Sequence, residues 1–573
     1  MQWRSAICVK AVSPLIKIRR GGQSFMVNKK RGFTAISAVL AATVALAGCG
    51  SDEGAGKNAS NDGKAAAPNS NAPVEGYTLP IVKDGSVTLG IAARDFASPY
   101  SYTKGFPVWQ EIEKRTGVKI NWIVTPNDQY NDVMNVKLAA GKDLPDIITL
   151  PTADPVKTAD DGLIIPLDDL IHKYAPNISK FLKDNPEIDK KMRSPDGKLY
   201  AISSVTSGVA YSDPYGILIR QDWLDKLGLK EPKTLDEWYA VLKAFKEKDP
   251  NGNGKPDEIP FVPDLKLRGL TVFGSAKGLH LFYSSGYYPD KSGKVQFEWL
   301  KPEAKELVVW LNKLYKEGLI DPEFMTKTSD ATRANITRSE AGVTNRFLNG
   351  KPSFESAMKK AGEQSVVWNM TVPPAADGDK GFYEKYGPIS GWYGITKDAK
   401  NPEVAIKFLD YIYASEEGNR FLTFGIEGKS YTMVNGQPKF TEFAYKNPEG
   451  LDINTALRSL GATPTMPWIR ATEGPLSLQV KEIMALDPKS AEQANKVESY
   501  LTEANPYSLP SVEESETLAR YQSEITTYVD STIAKFVTGV EPIDWDKFTN
   551  QVKALGIDKV LQVKQKQYDR YKK

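Results

Sequence analysis

Short runs of alternating apolar residues and longer runs with helical spacing follow one another in the first third of the chain. Residues 87–91 and 118–124 alternate apolar with small or polar side chains, which predicts two strands. Residues 106–115 carry apolar side chains one helical turn apart, and Asn127 is placed to cap a second helix. An apolar run at 147–150 predicts a third strand. Strand, helix, strand, helix, strand is the order of an α/β lobe with a parallel sheet.

Helical patterns become more frequent towards the C terminus. A strand is predicted at 216–220, and Thr234 with Glu237 has the spacing of a capping box at the start of a helix. About 500 residues form the folded part, more than one hydrophobic core usually organises. The expected fold class is therefore α/β with two lobes and additional helices. Further helices are predicted at 302–317, at 402–413 with Asn401 as N-cap, and at 511–537.

The N-terminal 48 residues have the features of an export signal. A basic cluster at 29–31 precedes an uncharged, mostly apolar stretch at 33–47 that ends in small residues before Cys49. The apolar stretch is roughly 15 residues long, shorter than the ~20 that cross a bilayer as a helix. We therefore expect residues 1–48 to be a cleaved signal peptide, with Met26 as an alternative start.

The sequence Leu46-Ala47-Gly48-Cys49 resembles the bacterial lipobox. In that motif the cysteine is fatty-acylated, with palmitate-type chains, and becomes the new N terminus. The resemblance implies that Cys49 anchors the protein to the membrane. Residues 50–76 are small and polar and predict a disordered tether that spans roughly 30 Å. An ordinary secretory signal with an unrelated cysteine is the alternative.

Removing the signal reverses the sign of the net charge. The whole chain has 74 Lys and Arg against 71 Asp and Glu. Eight of the basic residues and none of the acidic ones precede Cys49, which leaves 66 basic against 71 acidic side chains and a formal charge of −5. No concentrated basic patch remains to predict nucleic-acid binding. The only other cysteine is Cys8, so no disulfide is expected after cleavage.

A loop directly after the capped helix has the spacing of a calcium-binding loop. Oxygen donors stand at positions one, three, five and nine, a glycine stands at position six, and position seven offers a backbone carbonyl. Position twelve is Pro260 rather than a bidentate Glu, so Glu258 would complete the shell. A turn rich in Asn and Gly that binds no ion is the alternative. The candidate ligands of a structural calcium ion are Asp249, Asn251, Asn253, the carbonyl of Lys255, Asp257 and Glu258.

Several motifs resemble those of extracellular solute-binding proteins of ABC carbohydrate importers. The similar group is the family 1 lipoproteins of Gram-positive bacteria. These resemble the alginate-binding proteins, which also hold a calcium ion in a loop like 249–258. This resemblance implies a hinged, two-lobe periplasmic-binding-protein-like fold over 77–573, with lobes built from discontinuous segments. It also implies a monomer at the extracellular face of the membrane that closes on an oligosaccharide and docks on a permease. The motifs lie at 109–118, 144–148, 219–229, 425–432 and 568–571.

Aromatic residues outside the periodic segments are candidates for the saccharide site, because flat rings match the apolar faces of sugars. In the resembling family an aromatic residue in the stretch 387–394 lines the cleft, which favours Trp392. For the other aromatics, packing in a core is the alternative. Arg333, Arg338 and Arg346 would favour an acidic saccharide through carboxylate pairing, or they form a solvated face. The candidate ligand-binding residues are Trp392, Tyr393, Tyr211, Tyr215, Trp368, Trp468, Asp95 and Arg346.

A secreted glycoside hydrolase or lyase and a surface sensor co-receptor are the competing classes. A hydrolase needs two suitably spaced carboxylates, which 71 acidic residues neither supply nor exclude by sequence. The chain has two histidines, and no nucleophile elbow or zinc-binding helix motif was identified. We therefore expect a binding protein with no catalytic residues. The identity, length and charge of the saccharide are not specified by the sequence.

Overall fold

The computed structural model describes residues 77–573 except 96–99, 128, 152–153, 207–213, 386, 448, 450, 464 and 471–477. The predicted signal peptide, Cys49, the tether and the candidate Tyr211 lie outside the described residues.

The strands are short, and most belong to two sheets. They are β1 (Thr88–Arg94), β2 (Lys119–Thr125), β3 (Ile147–Thr149), β4 (Ile202–Thr206), β5 (Tyr215–Arg220), β6 (Ile259–Phe261), β7 (Tyr287–Pro289), β8 (Val295–Phe297), β9 (Ala341–Phe347), β10 (Trp368–Met370), β11 (Tyr383–Lys385), β12 (Ile389–Ile395), β13 (Tyr431–Val434), β14 (Gln437–Phe440), β15 (Ile469–Arg470) and β16 (Leu501–Glu503).

Helices cover both sheets and form much of the C-terminal part. They are α1 (Pro107–Thr116), α2 (Tyr130–Ala140), α3 (Pro155–Asp160), α4 (Asp168–Tyr174), α5 (Pro176–Asp184), α6 (Pro186–Met192), α7 (Gln221–Leu227), α8 (Leu235–Glu247), α9 (Leu267–Leu270), α10 (Pro302–Lys316), α11 (Ser329–Thr337), α12 (Lys351–Lys360), α13 (Pro402–Ala414), α14 (Glu416–Phe424), α15 (Glu442–Tyr445), α16 (Ile453–Arg458), α17 (Leu478–Leu486), α18 (Pro488–Glu498), α19 (Val512–Thr538), α20 (Trp545–Ala554) and α21 (Ile557–Lys572). In the described part of the chain, none of them combines the length and apolarity of a membrane-spanning helix.

The first lobe is built on a six-stranded sheet in the order β15-β4-β12-β3-β1-β2. Strands β2 and β3 run parallel to β1, and β12 runs antiparallel to both of its neighbours, β3 and β4. Strand β15 runs parallel to β4. This is the parallel α/β arrangement that the opening of the sequence predicts, with one antiparallel strand inserted from far along the chain.

The second lobe is built on a four-stranded sheet in the order β10-β5-β9-β6. Strand β5 is antiparallel to β9 and β10, whereas β6 is parallel to β9. Each sheet has its own hydrophobic core: Trp109 is buried in the first, and Trp223 and Trp238 are buried in the second. The predicted two-lobe α/β fold with many helices is confirmed.

The chain crosses between the two lobes at several points. Strand β4 of the first lobe is followed by β5 of the second, and β11 of the second lobe is followed by β12 of the first. Only residues 386–388 separate β11 from β12, so the two strand ends lie within about 14 Å of each other. A further crossing follows α17, since Leu486 packs on the first core and Val497 lies in the second.

Local signals predicted most helix starts correctly. Asn401 occupies the N-cap position of α13, although its side chain makes no capping hydrogen bond. The capping box of α8 is present: Thr234 Oγ1 accepts from the Glu237 N–H at 3.3 Å, and the Glu237 carboxylate accepts from the Thr234 N–H at 3.0 Å. The predicted cap at Asn127 is wrong, because α2 begins at Tyr130 without a side-chain cap. A turn in which the Gln129 N–H donates to the Pro126 carbonyl precedes the helix instead.

Candidate functional site

The ends of several strands of the first sheet meet at one edge. Strands β1, β3, β4 and β15 run in the same direction, so their last residues lie at the edge where the antiparallel β12 begins. Ligands of open α/β sheets bind outside the carboxyl ends of the strands. This edge carries Arg94, Asp95, Trp468 and Arg470.

In the chain, β5 of the second lobe follows β4 of this sheet, and β12 of this sheet follows β11 of the second lobe. Tyr215 begins β5, and it pairs with Phe347 at the end of β9; Arg346 is the next residue of that strand inwards. We use the name interlobe cleft for the candidate site that joins Arg94, Asp95, Trp468 and Arg470 of the first lobe with Arg346 and Phe347 of the second.

Asp95 shapes the loop that follows β1. Its carboxylate accepts from the Ser101 hydroxyl at 2.7 Å and from the Tyr102 N–H at 3.2 Å. The Tyr102 ring stacks on Trp122 with centroids 4.2 Å apart, and its hydroxyl lies 2.9 Å from the Thr465 N–H, which donates to it. Asp95 therefore holds an aromatic residue at the edge of the sheet.

The Arg94 guanidinium is held by neutral groups. It donates to the Asn131 side-chain oxygen at 2.7 Å and to the Asn127 carbonyl at 3.4 Å, and it lies 4.7 Å from the centre of the Tyr130 ring. Within the described residues no carboxylate pairs with it. A guanidinium in this position presents planar donors to ligand oxygens.

Trp392 and Tyr393 follow a bulge in β12. Gly391 has φ = 67°, a conformation that favours glycine, and the pairing with β4 shifts there. The Tyr393 hydroxyl is buried, donates to the Thr465 carbonyl at 3.3 Å and has its pKa raised by burial. Trp392 is 6 % exposed and lines a cavity whose walls come from α2 and α3 of the first lobe and from α19 and α21 of the second.

Trp468 remains half-buried at the cleft edge. The Arg470 guanidinium lies 4.5 Å from the centre of its ring, an arrangement that fixes the indole by a cation–π contact. The Val205 N–H donates to the Trp468 carbonyl at 2.8 Å, so the backbone is held by strand β4. Among the predicted aromatics in the described residues, Trp468 best meets the requirements of a sugar platform.

The two candidates at this end of the second sheet differ in position: Arg346 lies beside the cleft, whereas Tyr215 is packed inside the lobe. Arg346 forms an ion pair with Asp264 at 3.2 Å and lies beside the cleft end of β9. Tyr215 is buried, with its ring stacked 4.6 Å from Phe282 and its hydroxyl donating to the Asn345 carbonyl at 3.1 Å. Its role in the structure is to pack the end of β5.

Trp368 has no exposed surface and packs in the core of the second lobe, where its indole N–H faces the Met358 sulfur at 3.4 Å. Trp368 therefore does not reach the cleft, because its side chain extends from β10 into the hydrophobic core. Arg333 is exposed, and Arg338 pairs with Glu340 at 2.6 Å. Arg94, Tyr102 and Arg470 were not predicted, although Arg94 directly precedes Asp95 at the same strand end.

The calcium-like loop is closed by its own hydrogen bonds. The Asp249 carboxylate accepts from the N–H groups of Gly252 at 2.9 Å, Asn253 at 3.1 Å and Gly254 at 3.0 Å. The side-chain amides of Asn251 and Asn253 each donate to Asp257 at 3.1 Å. The oxygen-bearing side chains of the loop thus turn towards one another.

Glu258 is the exception to this pattern. It is 7 % exposed, and neither carboxylate oxygen has a hydrogen-bond partner in the described residues. Burial raises its pKa, and the charges of Asp249 and Asp257 raise it further. A buried carboxylate without a donor beside two other carboxylates fits a site for a hard cation. The described residues contain no cluster of three His, Cys, Asp or Glu that meets a metal-site arrangement, so amide and backbone oxygens would complete the shell.

Two α/β lobes joined by several chain crossings, with aromatic and arginine side chains at one strand-end edge, have the architecture of a two-lobed binding protein. The family described as bacterial extracellular solute-binding protein matches residues 99–419. The chain belongs to this family.

Individual relatives match over most of the chain. The fructooligosaccharide ABC transporter substrate-binding protein FusA of Streptococcus pneumoniae is 27% identical over 95% of this chain and 99% of its own length. Lipoprotein LipO of Bacillus subtilis is 29% identical over 59% of this chain and 66% of its own length. A crystal structure of the alginate-binding protein AlgQ2 without calcium ion is 27% identical, with a TM-score of 0.72, and covers 85% of this chain and 99% of its own.

Proposed function

We propose that the mature protein is a substrate-binding protein of an ABC transporter that binds an oligosaccharide in the interlobe cleft and delivers it to a membrane permease. The observation that carries this proposal is the grouping of Trp468, Arg94 and Arg470 at the strand ends of the first lobe, in a chain that crosses several times to a second lobe. FusA, which matches nearly the whole chain, carries the corresponding name. The sensor co-receptor shares the anchor but has no specific observation in its favour.

The chemistry of the cleft suits a saccharide. The half-buried Trp468 offers a flat apolar face, and the Arg94 guanidinium offers donors to hydroxyl or carboxylate oxygens. Rotation about the crossings would enclose the ligand, and the permease would recognise the closed form, since a ligand favours the state that it binds more tightly.

The lipid anchor on Cys49 and the extracellular location are part of the proposal. The basic cluster, the apolar stretch and the terminal cysteine support them, as does the relative LipO, which is named a lipoprotein. A tether over 50–76 would give the folded body freedom to reach the permease. We expect the protein to act as a monomer.

The calcium ion is proposed as a structural cofactor. Asp249, Asp257 and Glu258 would supply carboxylate ligands, Asn251 and Asn253 amide oxygens, and Lys255 its carbonyl. The unpartnered carboxylate of Glu258 supports this assignment. The ion would neutralise the three carboxylates and join the loop to the turn before β9, where the Asn251 amide already donates to the Ser339 carbonyl at 3.2 Å.

Replacing the proposed sugar platform should weaken saccharide binding. Calorimetry against a panel of plant and bacterial oligosaccharides identifies a ligand, and Trp468→Leu should then raise its Kd about tenfold, because ring stacking on a sugar resembles other aromatic contacts in energy. Trp310→Leu, on α10 of the second lobe, is the matched control and should leave Kd unchanged. Equal loss in both variants would refute the platform role.

The oligosaccharides identified by calorimetry also distinguish a binding protein from a hydrolase or lyase. A binding protein releases the oligosaccharide intact, whereas a hydrolase or lyase generates new chain ends. Prolonged incubation followed by a reducing-end assay should give no product. Turnover of any bound oligosaccharide would replace the transport proposal with the hydrolase or lyase.

A further inference from the structure

A turn in the second lobe holds two residues in a backbone conformation that favours glycine. Leu265 has φ = 61°, and Lys266 has φ = 57° with ψ = −134°. Residues with a Cβ rarely adopt a positive φ, and tight turns usually place glycine at the angles of Lys266. In the described part of the chain, no other two adjacent non-glycine residues both have positive φ. We call Leu265 and Lys266 the strained turn.

The strained turn lies at the strand ends of the second sheet. It follows β6, and the parallel strands β6 and β9 end at the same edge. Asp264, directly before the turn, is joined to β9 twice: its N–H donates to the Asn345 side-chain oxygen at 2.9 Å, and its carboxylate pairs with Arg346 at 3.2 Å. Arg346 belongs to the interlobe cleft. Because ligands of open α/β sheets bind outside the carboxyl ends of the strands, the turn borders the candidate site on the side of the second lobe.

Close contacts hold the backbone of the turn in this conformation. The Gly269 N–H donates to the Lys266 carbonyl at 3.0 Å, and a Cβ added at Gly269 would lie 1.9 Å from the Asp264 carbonyl oxygen. The Asn345 side chain, which has no exposed surface, also donates to the Gly269 carbonyl at 3.0 Å. None of these contacts uses the side chain of Leu265 or Lys266, so glycine at either position would keep them all.

Leu265 is also one of the few large apolar side chains that the described residues expose, at 44 % of its surface. Lys266 is exposed as well, but water satisfies its ammonium, whereas an exposed leucine gains nothing from water. Backbone strain persists where the surroundings enforce it, and it concentrates at functional sites. Half-buried Phe347, at the end of β9, is a second apolar group at these strand ends.

We propose that Leu265 contacts the ligand: the strained turn holds this side chain against the apolar face of a sugar unit bound in the interlobe cleft. This role rests on the proposed function and adds a specificity-determining residue to the same site. A sugar unit that turned its hydroxyl groups towards Leu265 would lose hydrogen bonds to water without replacement. The contact therefore selects the orientation of the sugar ring.

Replacing Leu265 by glycine separates a ligand contact from a purely structural role. Leu265→Gly relieves the positive φ and should raise the unfolding temperature of the ligand-free protein by about 1–2 °C. The same variant removes the apolar contact and should raise the Kd of a bound oligosaccharide about fivefold. A residue that serves only the fold would not weaken binding while stabilising the protein.

Calorimetry of the mature protein measures these affinities. The probe is the tightest binder among maltotetraose, cellotetraose, xylotetraose, an inulin-type fructotetraose and trigalacturonate. Leu265→Asn, which tolerates a positive φ but is polar, should lose affinity as Leu265→Gly does and should show a less negative heat-capacity change of binding. Leu265→Met keeps an apolar side chain and should bind as the parent does. Asn435→Gly, at φ = 51° in the hairpin of β13 and β14, is the matched control and should leave Kd unchanged.

A parent that binds the probe and a Leu265→Gly variant that binds it equally well would overturn the ligand contact and leave the proposed function in place. A lower unfolding temperature in Leu265→Gly would show that the leucine supports the fold, and it also overturns the assignment. Equal loss of affinity in Asn435→Gly would do the same. A parent that binds no member of the panel would contradict the proposed function itself, and the role of Leu265 would be lost with it.

Discussion

Single buried carboxyl groups hold segments of both lobes in place. In the second lobe the Glu384 carboxylate accepts from the N–H groups of Phe282 at 3.1 Å, Tyr283 at 2.6 Å and Ser284 at 2.8 Å. In the first lobe Asp410 accepts from the Ile178 N–H at 2.7 Å and from the Tyr77 hydroxyl at 3.1 Å. Burial raises the pKa of Glu384 to about 7 and that of Asp410 to about 6.

The raised pKa of Glu384 predicts a loss of stability with rising pH. Its protonated form is favoured in the folded state, so its contribution is complete below pH 4.5 and is lost as pH rises to about 7. The parent should lose on the order of 3 kcal/mol from this group across that window. Glu384→Gln, which cannot ionise and keeps one side-chain oxygen as an acceptor, should remove that part of the pH dependence in chemical denaturation.

The parent and the variant must be compared because the titration of His280 changes the free energy of unfolding with pH in the opposite direction. Burial lowers its pKa to about 3, so its contribution to stability is lost as pH falls between 6.5 and 3. The difference curve reports Glu384 together with its influence on His280, whose Nδ1 lies 4.0 Å from the Glu384 carboxylate. A difference that does not change between pH 4.5 and 7 would contradict the assignment.

At the scale of elements, capping boxes fix the starts of two helices. Thr234 with Glu237 begins α8, and Ser511 with Glu514 begins the 27-residue α19. Each box satisfies two backbone donors that the first turn leaves free. These pairs are close in sequence, which is why one of them was recognised from spacing alone.

Removing the α8 cap should destabilise the protein modestly. Thr234→Ala loses the acceptor for the Glu237 N–H and should lower the free energy of unfolding by about 1 kcal/mol. Thr234→Ser keeps the hydroxyl and serves as the control in urea denaturation. Equal unfolding midpoints for Thr234→Ala and Thr234→Ser would show that the capping box does not contribute to stability.

The loop after α8 should respond to calcium. If Glu258 is a ligand, added calcium raises the unfolding temperature of the parent, because an ion that binds only the folded state stabilises it. Glu258→Gln should reduce that shift, whereas Glu247→Gln, an exposed residue at the end of α8, should not. No shift in the parent over millimolar calcium would remove the ion from the description of this loop.

At the scale of the whole molecule, several chain crossings connect the two α/β lobes. Short connections such as 386–388 limit how far the lobes can separate at one side. The ion pair between Lys191 of the first lobe and Glu503 of the second, at 2.7 Å, adds a contact beside them. Motion is therefore expected as a rotation about this side.

Ligand binding should make the molecule more compact. Small-angle scattering of the mature protein should show a smaller radius of gyration with a bound oligosaccharide than without it, since closure brings the lobes together. Trp468→Leu at the same ligand concentration should show a smaller change. An oligosaccharide that binds without any change in radius would contradict hinge closure.

Much of the fold was accessible from the sequence because its signals are local. Strand alternation, helical spacing and caps predicted the parallel sheet of the first lobe and helices such as α8, α10 and α13. Asn127 failed as a cap because hydrogen bonds within the preceding turn, and not residue preference, decided where α2 begins. The spacing of the calcium-like loop was also readable, since all its donors lie within ten residues.

Which candidate residues belong to the cleft was decided only by tertiary structure. Tyr215, Trp368 and Trp468 are all aromatic residues in segments without clear periodicity, yet the first two pack inside the second lobe and only the third stays half-buried at the cleft. Contacts between residues far apart in sequence decide which side chains reach the cleft. Such contacts cannot be predicted from the local spacing of residues.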